Sequence, residues 1–376
     1  MRKIKPFAIE RYFSRYEFSA RYLLSCSDCE PYAMADILEM ADPEIRKLWD
    51  NLSLSYTETT GHPLLRDAIA ATYDGIGPED VLVMAPEEAI FLAMHALLSP
   101  GDHVVCTFPG YQSLYEIARS IGCELSFWKA DEAWGWEFCV QDLAELVRKD
   151  TRLVIANFPH NPTGFVPSQK QYSEIIDLTK AANAYLFSDE MYRCLEFESR
   201  QTLPAACTRY ENAVSLSGLS KAYGLPGLRT GWLATRNQDV RDRVSRLRDY
   251  TTICGSAPGE ILSIIALHSR DRILGDQLSR VRKNAGLVAS FVSGFDQFLQ
   301  LSPAMGGSIC FPRVLSHTDT TRFCKDLVEE TGIMLVPSSL FDYGDRHVRI
   351  GFGREDLPQV LDRFGAYLAD RYRDNR

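Results

Sequence analysis

A chain of 376 residues with 45% hydrophobic and 24% charged side chains has the make-up of a folded globular protein of about two domains, not of a disordered or fibrous one. Its 50 acidic against 41 basic residues leave a net charge of −9, which argues against a broad nucleic-acid surface. No apolar run approaches the ~18 residues of a membrane span, and the opening Met1-Arg2-Lys3-Ile4-Lys5-Pro6 lacks the apolar stretch of a secretory leader, so a cytoplasmic protein is expected.

Residues 1–35 read as an N-terminal arm with a leading helix. They contain Cys26 and Cys29, one Cys-x-x-Cys with no second ligand pair at zinc spacing; the ten cysteines are scattered, so reduced thiols and no metal are expected. From 36 to 265 helical patterns alternate with short apolar strands. Val81-Leu82-Val83-Met84 leads through Ala85-Pro86 into a helix running on to Leu98. Val104-Val105-Cys106-Thr107, Leu153-Val154-Ile155-Ala156 and Ala184-Tyr185-Leu186-Phe187 follow. Unbroken apolar runs suit strands buried on both faces, and their alternation with helices predicts an α/β fold, a mainly parallel sheet covered by helices. Residues 266–376 read as a smaller α+β domain on which the arm packs. Its helices are expected around 270–300, 318–331 and 355–373, with strands near 308–312 and 347–352.

Polar residues just past the carboxyl ends of parallel strands are where open α/β sheets place their ligands. Asn161 follows one such run, in Asn157-Phe158-Pro159-His160-Asn161-Pro162-Thr163-Gly164, and Asp189 and Tyr192 follow another, in Ser188-Asp189-Glu190-Met191-Tyr192. Further on comes Ser215-Leu216-Ser217-Gly218-Leu219-Ser220-Lys221, with Arg229 eight positions after the lysine. A lysine among small and hydroxyl residues is what an enzyme needs to hold an aldehyde cofactor as a Schiff base, because the amine must approach a carbonyl closely. The Ser220 hydroxyl and the planar fork of Arg229 suit a phosphate ester beside it. Each piece alone has a plainer reading: Asp189 as a helix cap, Tyr192 and Tyr111 as core aromatics, Arg349 as a solvated strand charge. Their joint occurrence sets those readings aside.

The order Asn161, Asp189, Lys221, Arg229 resembles the aspartate aminotransferase superfamily, the fold type I enzymes that use pyridoxal 5′-phosphate. The resemblance implies that Lys221 forms the Schiff base, that Asp189 pairs with the pyridine nitrogen, and that Asn161 and Tyr192 hydrogen-bond the ring's phenolic oxygen. It implies a phosphate cup of Ser220 and Arg229. Gly218 stands where many relatives have another serine, so Ser217 is a weak substitute. The other wall of the cup falls at Pro86; since proline has no N–H, the donors move to Glu87 and Glu88. Tyr111 falls where an aromatic stacks on the ring, and Arg349 where an arginine grips the substrate α-carboxylate in two parallel bonds. Tyr56, before Gly61, resembles the tyrosine that reaches the neighbouring subunit's phosphate, which implies a homodimer with shared active sites. Arg66 is expected to be structural.

The resemblance implies transamination, from an amino acid to a 2-oxo acid, as part of amino acid metabolism. The short N-terminal segment and Tyr250-Thr251-Thr252-Ile253-Cys254-Gly255-Ser256-Ala257-Pro258 are also similar to capreomycidine synthase-like members, which cyclise a hydroxylated arginine by elimination and re-addition. Leu24-Ser25-Cys26-Ser27-Asp28 departs from the Gly-containing loop usual near the substrate. Related domains also act as ligand sensors fused to DNA-binding modules; the early start of the matching region and the acidic balance weigh against that reading.

Overall fold

The structure is a computed structural model that describes residues 3–199, 202–315 and 319–371. Four helices, α1 (Ala8–Tyr16), α2 (Met34–Glu39), α3 (Pro43–Asp50) and α4 (Pro63–Ala70), precede the first strand. Strands β1 (Val81–Met84), β2 (His103–Phe108), β3 (Glu124–Lys129), β4 (Thr151–Asn157), β5 (Tyr185–Asp189), β6 (Ala213–Gly218) and β7 (Gly231–Ala234) make one sheet in the order β1-β7-β6-β5-β4-β2-β3. Apart from β7, which is antiparallel to both its neighbours, all pairs in this sheet are parallel. Since β7 reverses twice, β1 runs in the same direction as β6. Six strands therefore deliver their carboxyl ends to one edge.

Between the strands come α5 (Pro86–Leu97), α6 (Ser113–Ile121), α7 (Val140–Leu146), α8 (Gln169–Ala181) and α9 (Ala206–Arg209). All four residues of β1 are buried, as are six of the seven in β4, the pattern of strands covered on both faces. The first helix after the sheet begins is one residue shorter than expected: Leu98 is extended (φ −114°, ψ 147°) and ends α5.

After β7 come α10 (Gln238–Arg248), α11 (Ala257–His268) and α12 (Arg270–Gly294), then short strands β8 (Leu299–Gln300), β9 (Ile309–Cys310) and β10 (Arg313–Val314). Helix α13 (Thr320–Thr331), strands β11 (Val336–Pro337) and β12 (Val348–Gly351), and α14 (Leu357–Arg371) close the chain. The expected helix near 270–300 stops at Gly294; positions 318 and 372–373 of two other expected helices lie outside the described residues, as do Met1 and Arg2. Strands β11, β12 and β9 form an antiparallel sheet. Among the described residues no helix is long and apolar enough to cross a membrane.

The arm joins this smaller sheet. The Gly351 amide donates to the Leu24 carbonyl at 2.7 Å and the Met334 amide to the Tyr22 carbonyl at 2.8 Å. A Cβ on Gly351 would lie 1.8 Å from the Cys26 carbonyl oxygen, so only glycine admits so close an approach. Arg66 donates to the carbonyls of Gly61 and Pro78, both at 3.2 Å.

Candidate active site

At the carboxyl edge of the large sheet a cavity of about 430 Å³ opens between strand ends, the arm and β12. The sheet register puts Asn157, the last residue of β4, beside Asp189, the last of β5. The Asn157 amide donates to the Asp189 carbonyl at 3.1 Å, and its oxygen accepts from the Asn161 N–H at 2.8 Å. One side chain thus ties two strand ends to the turn that carries Asn161. His160 braces the same turn: its ring nitrogens meet Thr163 Oγ1 and the Pro109 carbonyl, each at 2.8 Å. Burial pushes the imidazole down to about 3, so it is a neutral strut.

Asp189 is only 5% exposed, and its carboxylate accepts from the Met191 N–H at 3.1 Å. Burial pushes its carboxyl up to about 7, against the lowering by the Met191 amide and the Lys221 charge. Lys221 Nζ donates to Ser27 Oγ at 2.8 Å. The Tyr192 hydroxyl, the Ser220 hydroxyl and Arg349 Nε are buried and without a partner among the described residues. The remaining Arg349 nitrogens reach the Ser25 carbonyl at 3.0 Å and Asn161 Oδ1 at 3.4 Å. Orphaned donors of this kind cost free energy, roughly 1–3 kcal/mol each, unless a ligand meets them.

Tyr111 lines the cavity and donates to Glu10 Oε1 at 3.3 Å. Arg229, exposed on the rim, has left-handed backbone (φ +53°) and donates to the Pro226 carbonyl at 3.1 Å. Glu87, in the first turn of α5, also lines the cavity; its carboxylate accepts from Ser113 Oγ at 3.3 Å and burial pushes it up to about 7. The N-cap Ala85 makes no side-chain cap bond, which leaves first-turn amides of α5 open to an anion.

The structure thus brings Lys221, Asp189, Asn161, Tyr192, Tyr111, Ser220, Arg229, Glu87 and Arg349 to one cavity. Three expected residues stand outside its lining. Ser217 is buried in β6 opposite Trp232. Glu88 turns its carboxylate to the Thr252 hydroxyl at 2.8 Å, beside a smaller cavity of about 170 Å³ that Arg229 also borders. Tyr56 is 89% exposed on the surface.

Glycine at 218 has a packing reason: a Cβ there would lie 2.9 Å from Gly231 Cα and 3.0 Å from the Thr230 carbonyl oxygen. A Cβ on Gly231 would in turn lie 2.7 Å from Pro86 Cγ. The proline and the two glycines fit one another where β1, β6 and β7 meet.

Sequence reasoning gave no role to Asn157, Glu10, Glu17, Ser27 or Asp28, which all line the cavity. Asn157 was signalled by a polar side chain closing an apolar run. Glu10 and Glu17 arrive from the arm helix and nothing local announces them, whereas Ser27 and Asp28 lie in the segment that stands where relatives carry a loop near the substrate.

Residues 37–364 match the model of aminotransferases of class I and II, and the chain belongs to that family. It has the fold type I architecture of these pyridoxal 5′-phosphate enzymes, and pyridoxal 5′-phosphate is the cofactor the family implies. Among curated proteins the chain is similar to capreomycidine synthase of Streptomyces vinaceus, at 32% identity over 98% of this chain and 95% of that protein. Among solved structures it is similar to a PLP-dependent aminotransferase from Streptococcus suis, at 28% identity and a TM-score of 0.91, covering 98% of both chains. A PLP-dependent cyclase, OrfR, is similar at 28% identity and a TM-score of 0.89, covering 99% of both.

Proposed function

We propose that this protein is a pyridoxal 5′-phosphate-dependent aminotransferase that moves an amino group between an amino acid and a 2-oxo acid. The observation that carries the reading is one cavity holding the Lys221 amine, the buried Asp189 carboxyl and the unpartnered donors of Tyr192, Ser220 and Arg349. The residues of this cavity fit the cofactor and its substrate: Asp189 for the pyridine nitrogen, Asn161 and the orphaned Tyr192 hydroxyl for the phenolic oxygen, Tyr111 for the ring face. Ser220, Arg229 and the amides of Glu87 and Glu88 would take the phosphate. When bound, the cofactor supplies an electron sink for a carbanion at the substrate Cα.

This chain's residues do the rest. Arg349 is fixed by Ser25 and Asn161 and presents Nε to the substrate carboxylate, which sets the orientation of Cα–H. Lys221 Nζ would take the proton from the substrate Cα and not give it back to that carbon, as conversion to a 2-oxo acid requires, with Ser27 Oγ as its resting partner. Burial of Asp189 keeps water from competing for its carboxylate. We extend the proposal to a homodimer in the cytoplasm with shared sites, Tyr56 serving the partner's phosphate, and to three units: 1–35, 36–265 and 266–376. The exposed Leu54, Tyr56 and Tyr250 support the dimer, because large exposed apolar groups suit an interface.

Mixed with a donor amino acid and no acceptor, the protein should release about one equivalent of 2-oxo acid per active site. The likeness to capreomycidine synthase and OrfR favours a second reading, cyclisation or elimination of a modified amino acid. A product that keeps every nitrogen of its substrate, with no 2-oxo acid formed by any donor, would move the assignment to that reading.

A further inference from the structure

Two charged side chains are buried away from the active-site cavity, beneath the segment that carries Tyr56. Glu260, in the first turn of α11, is 1% exposed, and Arg248, the last residue of α10, is 3% exposed. Their hydrogen bonds go to residues 57–62. Glu260 Oε2 accepts from the His62 N–H at 2.6 Å and from the Thr57 hydroxyl at 3.2 Å, and Arg248 Nη1 donates to the Thr59 carbonyl. From β1 the Val83 N–H donates to the Thr60 carbonyl at 3.0 Å. Two helices and the large sheet thus hold one short base, from which Leu54 and Tyr56 project, 86% and 89% exposed.

The stretch 250–258 between the two helices serves the same base. A Cβ on Gly255 would fall on Glu260 Oε1, so glycine there leaves the carboxylate its room. The base is costly to build. Burying a guanidinium and a carboxylate penalises both, and Arg248 Nε and Nη2 and Glu260 Oε1 find no partner among the described residues. A surface turn can be held by backbone and neutral side chains alone. Charged groups make stronger hydrogen bonds than neutral ones, so this base is stiffer than a turn requires. A side chain that reaches another subunit's ligand gains from that, because freedom removed beforehand is not lost on binding.

Resting on the shared site of the proposed function, we propose that Arg248 and Glu260 are positioning residues for Tyr56. They fix the base of its segment, and through it the hydroxyl that meets the phosphate of the partner's cofactor. Both also line the smaller cavity that Arg229 borders, which offers a second route to a cofactor, through Arg229 of the same chain. The routes differ in one respect: only the first disappears with the Tyr56 hydroxyl.

Affinities of the cofactor-free dimer for pyridoxal 5′-phosphate and for pyridoxal, which lacks the phosphate, test this without turnover. Tyr56→Phe should weaken binding of the phosphate ester ~10-fold and leave pyridoxal unchanged, in keeping with one charge-assisted bond. E260A, R248M and G255A should each weaken the ester ~3-fold or more, the scale of one side chain set free, again without moving pyridoxal. G255A does so by displacing the carboxylate, with no group deleted. E260Q should bind as the unaltered protein does, because its amide oxygen still accepts from His62 and Thr57. Added to Tyr56→Phe, none of the three should weaken the ester further. Equal losses for both ligands, unaltered ester binding in all three variants, or losses that add to that of Tyr56→Phe overturn the positioning role. Sedimentation checks the dimer in each case, and G255A alone decides if the deletions dissociate it. Tyr56→Phe without effect on the ester in a proven dimer refutes the shared site itself. An effect of Tyr56→Phe with none from the others refutes only the part given to Arg248 and Glu260.

Discussion

At the scale of single residues, burial sets Asp189 against its own fold. Its carboxyl is raised from 3.8 to about 7, so between those values the folded, cofactor-free protein holds a proton that the unfolded chain has released. By linkage stability falls as pH rises through that window, by up to ~4 kcal/mol from this group, and the penalty is fully present above it. Glu87, raised from 4.5 to about 7, adds a slope of the same sign. Urea unfolding should therefore show cofactor-free Asp189→Asn to be more stable than the unaltered protein above about pH 7, the advantage vanishing below about pH 4. The same variant should keep the cofactor yet lose the chemical step strongly, since an amide does not hold the pyridine nitrogen protonated. Near-unaltered single-turnover rates would instead make Asp189 a turn cap for Met191. Lys221→Ala should leave a folded protein with turnover lost; substantial catalysis by that variant would refute its assignment.

Secondary-structure elements differ in how plainly the chain announces them. The runs 81–84, 104–107, 153–156 and 184–187 fall on β1, β2, β4 and β5, because a strand buried on both faces needs continuous apolar sequence. Asn161 and Asp189 were legible for a related reason: each closes or follows such a run, where the sheet leaves its edge open; Lys221 stood out instead by its small and hydroxyl neighbours and by Arg229 eight positions on. Strand β7 was not, since a four-residue antiparallel insert has too little periodicity to register. The arm's contact with the lysine was equally hidden: Ser27 meets Lys221 across 194 positions, and no local pattern encodes a contact that long. Two element-scale outcomes follow. Gly351→Ala forces the arm off β12, at a cost of ~3 kcal/mol or more, seen as a lower urea midpoint. Asn157→Ala unties β4 and β5 from the Asn161 turn and leaves a buried amide unmet, a loss of ~1–3 kcal/mol with cofactor affinity falling alongside.

For the whole molecule, the shared-site homodimer makes a prediction about mixtures. Tyr56→Phe and Lys221→Ala chains, each impaired alone, should recover activity when refolded together, because in the heterodimer both lesions fall in one site and the other is intact. A fully active monomer in sedimentation, or no recovery from proven heterodimers, would refute the arrangement. The contact of Gly351 with Leu24 has a further bearing, on synthesis. A ribosome makes the arm before the large sheet and β12 well after it, so the arm waits through the synthesis of that whole sheet for the strand it pairs with. The large sheet, complete in sequence by Ala234, can fold while its future cavity still lacks a wall. A nascent chain arrested before residue 348 should hence expose residues 20–26 to protease, and release of the full chain should protect them.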